Sequence, residues 1–225
     1  MSADAAGPPT RARLARDLIP LLAAIALVGG SFGAVAAATG LSAAKTLALS
    51  ALVYAGGAQF LVVAAAASGA GGLTLLAGGL LLNARHLTYG LVLAEVMRGP
   101  WWRRLIGAHL MTDEATALTL AQPDPAAARR AFGVAGVLLF LTWNAATVLG
   151  MVAGAALGDP TAFGVDAAFP AALLALVIPT IVGRSAARVA VAAAVLAVLA
   201  TPLLPAGVGI LVGLIALVLA GRGPQ

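Results

Sequence analysis

Long apolar runs separated by short polar stretches dominate the chain and predict transmembrane helices. Runs of about 20 apolar residues are long enough to cross the hydrocarbon core of a bilayer. The apolar segments are residues 18–39, 46–68, 72–93, 105–121, 131–157, 168–183, 188–203 and 206–221. The last three are short and are punctuated by prolines. We therefore predict an all-α, polytopic transmembrane helical bundle of six to eight spans, with broken or re-entrant helices in the N-terminal half.

The same pattern predicts one transmembrane domain, 18–221, between a flexible basic N-terminus, 1–17, and a C-terminal tail, 222–225. An arginine-rich stretch before an apolar run is also typical of a signal peptide. However, the run from residue 18 to 38 is longer than the ~7–15 residues of a signal h-region. We expect the first helix to be retained.

Composition strengthens the membrane assignment. The chain has 225 residues, of which 62% are hydrophobic and 9% charged, whereas soluble domains carry about 25% charged residues. The net charge of +5 comes from basic residues at the ends of apolar runs, so they indicate topology rather than nucleic-acid binding. The chain contains no cysteine, which excludes disulfides and thiolate metal sites.

The distribution of arginine and lysine predicts an inside N-terminus. With eight crossings, most basic residues fall inside, and the loop holding Arg98, Arg103 and Arg104 is a misfit on the outside. That loop moves inside if two of the first four segments are re-entrant or half-spanning. Charge alone leaves six and eight crossings both open.

A polar cluster, Asn83-Ala84-Arg85-His86, interrupts the third apolar segment. An arginine near the bilayer midplane costs at least ~2.5–3.5 kcal/mol on insertion scales and usually faces a pathway or a partner. We interpret the cluster as the centre of a polar solute pathway. A buried network, with Arg85 paired to an acid, is a compatible alternative. A metal site at His86 is disfavoured, because only His109 could join it.

The second segment contains Tyr54-Ala55-Gly56-Gly57-Ala58-Gln59. Paired glycines weaken a membrane helix, and an opened helix exposes N–H groups that can bind a carboxylate. The alternative is that the glycines only permit tight packing. In the fifth segment, Trp143 either lines an apolar side-chain pocket or serves helix packing.

The fourth segment places His109, Thr112, Asp113 and Thr116 at helical spacing, with Glu114 to one side. One hypothesis is a proton relay or a site for a substrate ammonium. The alternatives are a salt bridge from Asp113 or Glu114 to Arg85 and an interfacial helix with a solvated polar face.

No nucleotide-binding loop, zinc motif or nucleophile–base arrangement is visible. We therefore expect no enzyme and no cofactor.

Several of these motifs together resemble one family. Residues 50–60 (SALVYAGGAQF), 83–86 (NARH) and 112–114 (TDE), with Gly40-Leu41-Ser42 and Trp143, are similar to the AzlC family, the large subunits of two-component branched-chain amino acid exporters. The resemblance implies export of leucine, isoleucine and valine across the bacterial cytoplasmic membrane, driven by protons. It also implies a small membrane partner of the AzlD type.

An amino acid zwitterion needs an anion site, a cation site and an apolar pocket. We hypothesise that substrate contacts come from Tyr54, Gly56, Gly57, Gln59, Asn83, Arg85, His86 and Trp143. Asp113 and Glu114 are the candidates for the ammonium or for the coupled proton. The alternative function is a channel for a small polar solute or ion. An intramembrane enzyme is disfavoured because no nucleophile with an oriented base is present, and a structural accessory subunit is disfavoured because a scaffold gains little from charges at mid-depth.

Overall fold

A computed structural model of the chain describes residues 11–156 and 183–204, with isolated positions 174, 178, 181, 212, 213, 215 and 216. The regular elements of these ranges are helical, so the all-α prediction is confirmed. They are α1 (Arg11–Ala38), α2 (Ala43–Ala48) with a π-helix (Leu49–Val53), α3 (Gly56–Ala67), α4 (Gly72–Asn83), α5 (Arg85–Val92), α6 (Trp101–Leu110), α7 (Asp113–Leu120), α8 (Pro125–Ala156) and α9 (Gly183–Ala200), which ends in a 3₁₀ turn (Thr201–Leu203).

In the described part of the chain, three helices are long and apolar enough to cross a bilayer. They are Leu14–Ala38, Pro125–Ala156 and Gly183–Leu203. The predicted segments 168–183 and 206–221 fall almost wholly outside the described residues, as do residues 1–10 of the predicted flexible N-terminus. Helix α1 begins at Arg11, seven positions before the boundary expected from the apolar pattern.

Helices α1 and α8 form the central pair, and they run parallel. A Cβ atom added to Gly29 would lie 3.1 Å from the carbonyl oxygen of Trp143. Further along both helices, one added to Gly154 would lie 2.9 Å from the Cα of Ala34. The contact moves toward the C-terminus of both helices together, so both begin on the same side of the bundle. We call this side the N-side and the opposite side the C-side.

Glycines allow these two helices to touch backbone to backbone. A Cβ at Gly33 would overlap the carbonyl oxygen of Thr147, and one at Gly150 would overlap that of Gly30. Real Cβ atoms do not approach that closely, so no other residue fits without moving a helix. Small residues at such spacing are the usual means of close helix association in membranes.

The second apolar segment is a hairpin, which we call hairpin A (43–67). Helix α3 begins at Gly56 after the π-helix, and the Gln59 side-chain amide donates a hydrogen bond to the carbonyl of Leu49. Ten residues along a straight helix are about 15 Å apart, so this bond requires the chain to fold back. Beyond Gly56, Phe60 packs on Phe32 with ring centroids 5.5 Å apart. Hairpin A therefore enters from the C-side and returns to it.

The fourth apolar segment is a second hairpin, hairpin B (101–120), which enters from the N-side. In α6, Gly107 approaches the Phe132 ring, and a Cβ added at Gly136 would lie 3.1 Å from the Cβ of Leu110. Helix α6 therefore runs along α8 in the same direction, away from the N-side. After an extended break at Met111 and Thr112, α7 returns along α8 to the turn before Pro125. The predicted polar stripe on one continuous helix is therefore wrong, because the helix ends at Leu110.

Helices α4 and α5 form a near-continuous rod, interrupted at Ala84, that passes both hairpins. A Cβ at Gly78 would contact Leu61 of hairpin A at 3.0 Å, and one at Gly90 would lie 3.9 Å from the Cε of Met111 in hairpin B. The rod therefore runs from the C-side to the N-side. The polar residues between these two contacts face the region where the hairpins end.

Candidate functional site

The tips of the two hairpins meet at Phe140, near the middle of α8. The Tyr54 ring of hairpin A lies 4.9 Å from the Phe140 ring, and His109 of hairpin B lies 5.6 Å from it, measured between centroids. The centroids of Tyr54 and His109 are 5.9 Å apart. The two hairpins enter from opposite sides, and the helix breaks at their tips lie at the same depth.

Tyr54 turns the chain at the tip of hairpin A. Its backbone is left-handed, with φ 42° and ψ 48°, a conformation that costs a non-glycine residue roughly 1–2 kcal/mol. Packing of the buried ring against Phe140 and His109 offsets this strain. Such strain at the end of a π-helix is frequent at functional sites.

The turn leaves the N-terminus of α3 open. Ala55, which precedes the helix, provides no side-chain cap, so the first N–H groups of α3, at Gly56 and Gly57, have no partner within the helix. A Cβ at Gly56 would lie 2.9 Å from Cη2 of Trp143, and one at Gly57 would lie 3.9 Å from Nη2 of Arg85. The start of the helix thus lies between an indole ring and a guanidinium group.

Arg85 connects this helix start to hairpin B. Its Nη1 atom lies 3.7 Å from Oδ2 of Asp113, and the two side chains retain 38% and 47% of their exposure. Asp113 is the first residue of α7, and Thr112 caps that helix by accepting a hydrogen bond from the N–H of Ala115 at 3.2 Å. This ion pair is one of the alternatives from the sequence analysis. Its exposure shows that it borders open space rather than the core.

Four buried side-chain atoms in the described part of the chain have no hydrogen-bond partner. They are Gln59 Oε1, Asn83 Oδ1, Arg85 Nε and Trp143 Nε1. Gln59 is in the first turn of α3, Trp143 and Arg85 flank that turn, and Asn83 precedes Arg85 by two positions. Buried polar groups without partners are rare in native structures. Two acceptors and two donors thus lack partners, on residues in the first turn of α3, beside it, or next to Arg85 on the rod.

The remaining predicted residues are less directly placed. His86 contacts its own rod, with Nδ1 3.1 Å from the carbonyl oxygen of Asn83 and its ring 5.6 Å from that of Tyr89. Glu114 is half-buried in the first turn of α7, beside Asp113. The described residues contain no group of three His, Asp or Glu side chains that could hold a metal ion.

A polar network that the sequence analysis overlooked attaches hairpin A to α8. The hydroxyl of Ser50 donates to Oδ1 of Asn144 at 2.8 Å and lies 3.3 Å from Oγ1 of Thr147. Ser50 and Thr147 are fully buried. Phe140, Asn144 and Thr147 recur at helical spacing, and that periodicity could have identified this face of α8.

Comparison with known proteins identifies a family and two relatives. The family model described as AzlC protein matches residues 20–157, which include both hairpins. An uncharacterized membrane protein of Helicobacter pylori strain 26695 is 31% identical over 100 residues, and one of strain J99 is 33% identical over 92 residues.

These alignments cover 44% and 41% of this chain and 44% and 40% of the two relatives, so the chain matches less than half of each curated relative. No solved structure matches. Because the family model spans more than half of the chain, including every candidate site residue, the protein belongs to the AzlC family.

Proposed function

We propose that the protein is a secondary transporter that exports branched-chain amino acids across the bacterial cytoplasmic membrane, coupled to protons. Membership of the AzlC family supports a role in membrane transport. One observation supports the finer proposal: four buried side-chain atoms lack partners, and three of their residues, Gln59, Arg85 and Trp143, lie in or beside the first turn of α3. A solute with both donors and acceptors matches that set.

The carboxylate of the substrate binds at the start of α3. The free N–H groups of Gly56 and Gly57 and the positive end of the helix dipole favour an anion. Arg85, beside Gly57, adds a charge-assisted hydrogen bond, and the six-membered edge of the Trp143 ring borders the site at Gly56. Broken helices whose N-termini face a substrate carboxylate are a recurrent design in secondary transporters.

The ammonium of the substrate binds to acceptors at the same depth. Gln59 Oε1 and Asn83 Oδ1 provide neutral oxygens, and Asp113 provides a carboxylate. The aliphatic side chain packs against the aromatic rings of Tyr54 and Trp143. His86 lies close to this set along the rod and completes the group of proposed substrate contacts.

Arg85 has two competing anions, and this competition supplies the coupling. In the structure the guanidinium pairs with Asp113. A substrate carboxylate at Gly57 draws the guanidinium away from Asp113, so this carboxylate loses its partner and is the group we assign to the coupled proton. Glu114, next to Asp113, shares this role.

The working unit includes a small membrane partner of the AzlD type. The AzlC family generally acts with a second membrane subunit. Many large apolar side chains of the described helices face outward, among them Leu73 and Leu80 of α4 and Leu87 of α5. These faces suit lipid and a partner helix alike.

The decisive experiment is reconstitution with and without that partner. Proteoliposomes that hold the protein and its partner should export leucine, isoleucine and valine with saturable kinetics and counterflow, and a proton gradient should drive accumulation. A channel would show neither saturation nor counterflow. Flux that ignores branched-chain amino acids would contradict the proposal.

A further inference from the structure

A lateral groove of about 770 Å³ runs along one side of the α1–α8 pair, away from the hairpin tips. Leu14, Leu18 and Leu22 line it from α1, and because they are four residues apart they share one face of that helix. Val134 and Leu138 line it from α8. The walls of the groove are therefore aliphatic.

The groove has the length of one bilayer leaflet. At a rise of 1.5 Å per residue, the lining spans about 12 Å of α1 from Leu14 and about 16 Å of α8 from Ala127 to Leu138. Half of a ~30 Å hydrocarbon core is about 15 Å. Apart from Gln122, just before α8, the lining residues belong to the N-terminal halves of both helices, so the groove lies in the leaflet on the N-side.

The N-side end of the groove is basic. Arg129 and Arg130 line it there, and no acidic side chain does so. Among the described residues, the acidic partners of arginine are Asp113 for Arg85 and Glu95 for Arg98. Arg129 reaches the carbonyl oxygen of Glu95 at 3.4 Å, and Arg130 remains for an external anion.

We propose that this groove binds an anionic phospholipid from the surrounding bilayer. One acyl chain lies between the leucines of α1 and the aliphatic side chains of α8, and the headgroup phosphate binds Arg130 and Arg129. Basic pockets between membrane helices commonly bind anionic headgroups, and the cytoplasmic leaflet is rich in such lipids. The excess of basic residues near the start of α1 and α8 assigns the N-side to the cytoplasm.

Thermal unfolding of the purified protein in nanodiscs tests this site. Phosphatidylglycerol should raise the unfolding temperature by several degrees relative to phosphatidylcholine with the same acyl chains, and glycerol phosphate alone should not. Arg130→Gln should remove at least half of that difference, and it leaves the contact from Arg129 to Glu95 in place. Arg188→Gln on α9, which removes the same charge elsewhere, should keep it.

A second variant tests the apolar part of the groove. A Cβ added at Gly133, which lines the groove, meets no atom within 4 Å, so Gly133→Phe places a ring in the groove and retains both arginines. This variant should also lose the difference between the lipids. Loss of co-purified phosphatidylglycerol, measured by mass spectrometry, provides an independent readout.

Three outcomes overturn the proposal. The first is that the wild-type protein unfolds at the same temperature in both lipids, as expected if another segment or a partner subunit covers the groove. The second and third are that Arg130→Gln, or Gly133→Phe, keeps the full difference in unfolding temperature between the two lipids. None of these readouts depends on transport.

Discussion

Arg85 and Asp113 form an ion pair between the middle of the α4–α5 rod and the tip of hairpin B, with 3.7 Å between Nη1 and Oδ2. Arg85 also lies beside Gly57 at the tip of hairpin A. One guanidinium therefore links the two hairpins that enter from opposite sides. This position makes it the residue whose change should have the largest effect on function.

Replacing Arg85 tests the anion site. Arg85→Gln should lower leucine efflux at least about tenfold, because a hydrogen bond to a charged group contributes ~1.5–3 kcal/mol and 1.4 kcal/mol is a factor of ten. Protein abundance should stay unchanged. Arg98→Gln removes an exposed arginine paired with Glu95 and should transport normally. Normal efflux from Arg85→Gln would remove this residue from the mechanism.

Replacing Asp113 tests the coupling. Asp113→Asn keeps the shape of the side chain but cannot carry the proton and loses the charge that faces the ammonium, so leucine exchange should persist with a higher KM while accumulation driven by a proton gradient is lost. Counterflow and gradient-driven flux are measured in the same proteoliposomes. Asp17→Asn on α1 is the matched control. Undiminished accumulation in Asp113→Asn would leave Glu114 as the candidate.

The contact between Gly56 and Trp143 predicts sensitivity to a single methyl group. In Gly56→Ala the new Cβ would lie 2.9 Å from Cη2 of Trp143, which shifts the ring and the start of α3. Overpacking of this kind costs about 1–3 kcal/mol, so the unfolding temperature and the leucine affinity should both fall. Gly71→Ala, where the added Cβ meets no atom within 4 Å, should change neither.

The crossing of α1 and α8 predicts a second steric effect, this time without a direct role in binding. Gly150→Val would press side-chain atoms against the carbonyl of Gly30 and force the helices apart, with a loss of stability of at least about 1–3 kcal/mol. Gly133→Ala on the same helix faces open space and should be neutral. Thermal unfolding of the two variants in one detergent measures the difference.

The hairpins make a topological prediction that labelling can check directly. The chain has no cysteine, so single cysteines can be introduced without removing others. Cysteines at Thr39 and Ser68 should be labelled from one side of the membrane, and those at Arg98 and Ala121 from the other. Were segments 46–68 and 105–121 full crossings, the two members of each pair would lie on opposite sides.

Much of the site followed from residue chemistry. Asn83, Arg85 and Asp113 stand out in apolar segments because burying them is costly, and the paired glycines after Tyr54 marked the point where a helix opens. The periodicity of the fourth segment misled, because Thr112 and Asp113 belong to the start of a new helix rather than to a continuous face. Thr112 is a favoured N-cap residue, but its signal was hidden in an apolar run.

The sequence alone gives little reason to single out the glycine pairs of α1 and α8, because such spacings arise often by chance in a chain rich in glycine and alanine. The structure places Gly33 against Thr147 and Gly150 against Gly30. Which small residues form a helix crossing depends on the partner helix, and a single sequence does not specify that partner.

The sequence by itself determined that the chain is an apolar helical protein, that charged groups lie within its hydrophobic segments, and which side chains these are. Only the tertiary structure decided that two segments fold back, that their tips meet at Phe140, and that Arg85 lies between them. The physical reason is that hydropathy records how favourably a segment leaves water, whereas direction and depth depend on contacts between distant residues. The hydrogen bond from Gln59 to Leu49 and the packing of α6 and α7 on α8 supply those contacts.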